Sequence, residues 1–203
     1  MSIRSIRPGP LTRLLNMHTF QQTRPFTLPS LSQPTPRVLT ASRILPFAPL
    51  PLFRTISAID SYSKFLPFLA ESTVTARDPI TNYPTRAFLT VGYGPLSETF
   101  LSKVECDVEK WTVGARSGET AFKNEVRDDG GNGLFEYLDT LWRLEPLEKA
   151  LAGKGVERTK VELEVRFRFR SALHATMMGA MEGQVAGMMI EAFEKRIREV
   201  EGR

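Results

Sequence analysis

Residues 171–201 (SALHATMMGAMEGQVAGMMIEAFEKRIREVE) contain no proline, and this stretch constrains the fold more than any other. Its apolar residues recur at helical spacing. Leu173, Met177, Met181, Val185, Met188, Ala192 and Phe193 share one broad face, with Met178, Met189 and Ile197 beside it. Ser171 can cap the N-terminus, and the cations of 194–198 lie where the helix dipole favours them. Such a helix is roughly 45 Å long, enough to cross a whole sheet. Glu182, Gln184 and Glu191 make it too polar to span a bilayer. Methionines at 177, 178, 181, 188 and 189 alternate with Gly179, Gly183 and Gly187. Methionine is unbranched and polarizable, so this composition fits either a surface that adapts to an irregular ligand or plain core filling.

A helix of this length needs an apolar surface to pack on, and the residues before it supply one. From 159 to 169 the chain alternates: Val161, Leu163, Val165, Phe167 and Phe169 face one way, and Lys160, Glu162, Glu164, Arg166 and Arg168 the other. That is a strand with one buried and one wet face, as in an antiparallel sheet. Further strands are expected at 40–47, 71–78, 85–93, 96–107, 111–117 and 134–144, with a hairpin turn at 92–95. A short helix is expected at 52–59. A second turn follows at 62–66, capped by Asp60-Ser61 and stopped by Pro67. Polar loops fall at 128–133 and 149–158. This order predicts an α+β fold: a curved antiparallel sheet of six to seven strands wrapped around one long C-terminal helix, with two short helices after strand one. A sheet gripping a single helix leaves room between them for a hydrophobic ligand.

Charge separates the beginning of the chain from the rest. Residues 1–59 have no Asp, Glu or Lys and carry arginines at 4, 7, 13, 24, 37, 43 and 54. An Arg-rich, acid-free, hydroxyl-rich leader is the pattern of a mitochondrial transit peptide. The division expected is a disordered transit peptide over 1–38 and a folded domain over 39–203. The first 59 residues hold +7 against a chain total of +4, which leaves −3 on 60–203. The folded part thus lacks the basic surplus of a nucleic-acid binder. The single cysteine, Cys106, excludes an internal disulfide and suits a reducing compartment. His18 lies in the leader and His174 stands alone on the long helix as a capping or surface residue. No metal site, Cys–His pair or catalytic residue can be assembled from this inventory. Asp128-Asp129 opens like a calcium loop but lacks an acidic residue at the right later spacing.

Four stretches, taken with the element order, resemble a known family. They are 60–68 (DSYSKFLPF), 91–100 (VGYGPLSETF), 134–142 and 165–171 (VRFRFRS) running into the helix. The chain resembles the START-like (polyketide cyclase-like) superfamily with its helix-grip fold, and within it the mitochondrial coenzyme Q-binding proteins. The resemblance spans about 39–200; the 122–132 loop looks longer than the family's usual hairpin there. It implies a non-enzymatic lipid chaperone that binds ubiquinone and its late biosynthetic intermediates. Such a protein works peripherally at the matrix side of the inner membrane and supports respiratory electron transport and quinone biosynthesis. Respiratory complexes and quinone-synthesis enzymes would then be its partners, with no catalytic cofactor and no nucleic acid.

Inward strand residues and the methionine face make the candidate cavity: Val91, Phe100, Trp142, Val165, Phe167, Met177, Met178, Met181, Val185 and Met189. Each fits ordinary core packing as well. Phe65, Leu66, Pro67 and Phe68 sit together at a helix–strand break and form either a mouth that meets the membrane or a plug under the sheet. Tyr93 and Trp142 are candidate hydrogen-bond donors to a quinone carbonyl. Two other classes stay open. One is a polyketide cyclase/aromatase-like enzyme, which needs an acid–base group in the cavity, with Glu98 or Arg143 the candidates. The other is a ribosome-associated interaction protein.

Overall fold

The inward residues of the 159–169 strand are all buried, with Val161, Leu163, Val165, Phe167 and Phe169 at 4 % exposure or less. They form the spine of the sheet in a computed structural model. It describes residues 34–93, 96–118, 121–122, 133–147 and 157–201, and of 93, 96 and 177–182 the backbone alone. Contacts divide the chain after residue 31, and the unit Ser32–Arg203 holds every described element. In chain order these are β1 (Arg37–Leu45), α1 (Pro49–Ser57), a 3₁₀ turn (Ile59–Lys64), β2 (Leu69–Arg77), β3 (Pro84–Tyr93), β4 (Leu96–Asp107), β5 (Thr112–Gly118), β6 (Phe135–Leu147), β7 (Arg158–Phe169) and α2 (Ala172–Glu201). The strands make one seven-stranded antiparallel sheet in the order β1-β7-β6-β5-β4-β3-β2. Strands β2 to β7 form a continuous meander, and β1 adds to its far edge.

On the outer face, the charges of β7 pair along the strand and across to β6. Lys160 pairs with Glu162 at 2.7 Å and Glu145 at 3.4 Å, Arg166 with Glu164 at 2.5 Å, and Arg168 with Glu136. Each contributes about 0–1 kcal/mol, and the two that cross to β6, Lys160–Glu145 and Arg168–Glu136, favour the observed register. A one-residue slip would carry the whole apolar row of β7 into solvent.

α1 starts three residues earlier than the pattern suggests, because Pro49 and Pro51 sit in its first turn, where a missing N–H removes no helical bond. Its Phe53 is fully buried against Tyr83 and Trp111. Asp60 does not cap the following turn as expected. Its Oδ1 accepts the Val74 N–H at 2.7 Å and its Oδ2 accepts Arg77 at 2.5 Å, while Ser63 N–H donates to Ser72 Oγ at 3.0 Å. Those bonds cover the edge of β2, which would otherwise present unpaired backbone groups.

β1 begins at Arg37, two residues before the expected domain start. β3 and β4 pair as far as Tyr93↔Leu96, and 94–95 of the expected hairpin turn lie outside the described residues. The 128–132 part of the polar tip, the longer loop at 123–132 and most of 149–158 also lie outside them.

Ser171 caps α2, its Oγ accepting the His174 N–H at 3.2 Å. Of the expected face, Phe193 and Ile197 are buried and Val185 and Met189 reach the cavity, whereas Leu173 is 68 % exposed. Ala175, Ala186 and Ile190, which the pattern left out, are buried as well. Phe193 sets this orientation. Its ring packs edge-on to Tyr62, Phe65 and Trp142 with centroids 5.1, 5.0 and 4.6 Å away, and this cluster sets which side of the helix faces the sheet.

Candidate functional site: an apolar cavity under the long helix

Between the inner face of the sheet and α2 lies a cavity of about 180 Å³. The register builds it. Leu39, Val165, Thr140 and Ala115 form one inward row across β1, β7, β6 and β5, and Trp142 and Val113 form the next. Ala115 and Thr140 are small where the neighbouring row has Phe167 and Leu138, so the helix cannot close down on the sheet there. Ile59 and Tyr62 cover one side, Leu89, Phe135 and Phe169 continue the floor, and α2 contributes Val185 and Met189.

The cavity is graded along the strands. Trp142 and Val113, at one end, are 2 % and 3 % exposed. At the other end Pro67, Phe68, Leu69, Val91 and Gly92 are only half-buried and form the rim. Phe68 has φ 65°, a left-handed conformation that is unfavourable for a bulky residue. Its carbonyl accepts the Gly92 N–H at 2.8 Å, which pins the corner to the end of β3.

Among the described lining residues Tyr62 has the one ionisable side chain. Burial first, then the nearby Cys106, pushes its phenol well above the ordinary value, and its hydroxyl donates to the Ile56 carbonyl. Cys106 faces inward opposite Val113, with its thiol pushed up to about 12 by burial and then by Glu105. A thiol held protonated at neutral pH is a poor nucleophile. Glu98 also faces inward, opposite Val91, but its Oε2 accepts the N–H groups of Leu134 at 2.6 Å and Phe135 at 3.0 Å. Arg143 is on the outer face, 3.8 Å from Glu164. Neither lines the cavity.

The structure brings six of the expected cavity residues together in the lining: Val91, Trp142, Val165, Phe167, Val185 and Met189. Leu66, Pro67 and Phe68 also line it, Pro67 and Phe68 at the rim and Leu66 buried behind them. Phe100 does not; it is buried beside Phe135, with ring centroids 5.7 Å apart, and Phe135 takes the lining position. Phe65 also lies off the cavity, against Tyr62 and Phe193. The side chains of Met177, Met178, Met181 and Tyr93 lie outside the described residues. Pattern reading missed Leu39, Ile59, Tyr62, Thr140 and Phe169. The inward parity of β6 and β7 was enough to find Thr140 and Phe169. No local signal marks Ile59 and Tyr62, whose position depends on how the 3₁₀ turn folds back over the sheet.

Residues 45–194 match the family model described as "Polyketide cyclase / dehydrase and lipid transport". "Coenzyme Q-binding protein coq10, mitochondrial" of Schizosaccharomyces pombe is 40 % identical over 158 residues, covering 78 % of this chain and 85 % of that protein. "Coenzyme Q-binding protein COQ10, mitochondrial" of Eremothecium gossypii is 31 % identical over 146 residues, covering 72 % of this chain and 65 % of that protein. Among solved structures, a START superfamily protein from Mycobacterium smegmatis superposes with a TM-score of 0.61 at 13 % identity, covering 80 % of this chain and 98 % of its own.

Proposed function

This chain belongs to the polyketide cyclase/dehydrase and lipid transport family, among its coenzyme Q-binding proteins, and from that premise we infer that it carries ubiquinone in the cavity beneath α2 as a lipid chaperone without chemistry of its own. The observation behind this reading is the lining, apolar along nearly its whole length and open at one rim. A polyprenyl quinone is almost insoluble, so its carrier must offer continuous apolar surface. Burying about ten CH₂ groups contributes roughly 8 kcal/mol before ordering is subtracted. Val91, Trp142, Val165, Phe167, Val185 and Met189 make the wall, and the proposal extends to Met177, Met178 and Met181 on the preceding turns of α2.

The cyclase alternative needs an acid–base group in the cavity. Glu98 is engaged by backbone N–H groups and Arg143 is outside, which favours a carrier. The rim at Pro67 and Phe68, with Leu66 buried behind it, is the part we assign to the membrane surface. The protein would act peripherally on the matrix side of the mitochondrial inner membrane, taking up ubiquinone or its late intermediates for respiratory complexes or quinone-synthesis enzymes. The test is mass spectrometry of organic extracts from the purified protein, where ubiquinone near one per chain is expected. Protein that arrives empty and refuses quinone offered in detergent sinks the reading.

A further inference from the structure

Three side chains in the described lining carry a nitrogen or oxygen: Tyr62, Thr140 and Trp142. The Tyr62 hydroxyl is committed to the Ile56 carbonyl. Thr140 Oγ1 and Trp142 Nε1 have no protein hydrogen-bond partner among the described residues. Both face inward from alternate positions of β6, Thr140 between Ala115 and Val165, and Trp142 between Val113 and Leu163. Neither atom is among the fully enclosed polar atoms that lack a partner, so each borders accessible space and not packed side chains.

Trp142 is at the closed end, and Thr140 is one inward position nearer the rim. The row of Val91 at the rim crosses β4 at Glu98, and the row of Trp142 crosses it at Cys106. That separation amounts to roughly 25 Å of strand. The rim offers hydrocarbon: Pro67, Phe68, Leu69 and Val91. A quinone ring carries acceptor carbonyls and no donor, and its isoprenoid tail carries neither. An indole N–H and a hydroxyl at the end of an apolar channel match the ring; the channel and rim match the tail.

We propose that the cavity takes a quinone head first, with a carbonyl held by Thr140 and Trp142 and the tail leaving past Val91 and Phe68. This rests on the coenzyme Q reading and deepens it, since it assigns the residues that choose a quinone over other isoprenoid lipids. Thr140 and Trp142 are specificity-determining residues; the rest of the wall supplies affinity without choice.

The test compares two probes on the full chain: a short-tailed ubiquinone, and squalene, an isoprenoid hydrocarbon with no acceptor. The wild type is expected to prefer the quinone. Thr140→Val and Trp142→Phe should each lower quinone affinity about 3- to 10-fold, the size of one hydrogen bond, and leave squalene unchanged. A second measurement needs no change at the site. The chain has two tryptophans, so Trp111→Phe leaves Trp142 as the reporter. Quinones quench indole fluorescence on contact, and saturation with the short-tailed quinone should quench Trp142 strongly. Weak quenching at saturation, or equal wild-type affinity for both probes, overturns the head-first arrangement while the carrier reading stands. A wild type that binds squalene and refuses quinone removes both.

Discussion

The two halves of α2 share one amphipathic pattern in the sequence and are used differently. The C-terminal half is an anchor. Ile190, Phe193 and Ile197 are buried, Phe193 joins three other rings, and Glu194 reaches across to Arg43 of β1 at 2.6 Å. The half before it is a cover. It contributes Val185 to the cavity, while its outer side is exposed at Gly183 and Gly187, where an added Cβ would meet nothing within 4 Å. One end of the helix holds the fold together, and its middle borders the cavity on one side, through Val185 and Met189, and solvent on the other.

Substitutions that separate stability from ligand retention sharpen this contrast. Phe193→Ala should have the largest effect, removing about 3–5 kcal/mol and lowering the thermal midpoint on the order of 10 °C. A shift of only a degree or two would mean that the anchor lies elsewhere. Val185→Asp should do the reverse. It puts a carboxylate into the apolar cavity, so retained quinone should fall at least about tenfold, while stability moves by less than about 1 kcal/mol. Comparable losses of both would dissolve the distinction. Gly183→Ala and Gly187→Ala should each stabilise by up to about 1 kcal/mol, because the methyl group enters open space in a helix that glycine weakens. Calorimetry showing destabilisation would mean that the cover packs more closely than the geometry says.

The smallest effect concerns acid. Hydrogen bonds from Arg198, and then from Arg43, hold the Glu194 carboxyl below its ordinary value of 4.5, against some desolvation. Its contribution is therefore complete above pH 4.5 and is lost as the pH falls through the lowered folded value. Glu194→Gln should remove this acid limb and about 0.2–1 kcal/mol at neutral pH. An unchanged acid limb in a denaturant titration would clear Glu194 of the role.

The sequence shows the strand order and the register of β7 plainly, because strict alternation leaves a single choice of face. Helical periodicity is weaker evidence. On α2 the apolar face is broad, and the pattern alone does not say that Leu173 at its edge is exposed while Ile190, outside it, is buried; contact of Phe193 with the Tyr62–Trp142 ring cluster decides that. The cavity is less legible still. Phe100 and Phe135 are equally apolar, and which of them borders the void depends on how two neighbouring rings stack. Asp60 reads as a helix cap from its neighbours in the chain, but its partners Val74 and Arg77 come from a strand that local pattern cannot place beside it.

The pairing of β1 with β7 has a consequence for how the chain reaches this state. Every other strand pair joins sequence neighbours, whereas Ala41 waits for Leu163, more than a hundred residues later. The meander can zip by short-range steps, but β1 cannot take its place until the last strand exists. In a polypeptide that emerges amino end first, 37–45 therefore remains an unpaired strand through almost the whole of synthesis, its backbone groups open to other partners until the sheet behind it is complete.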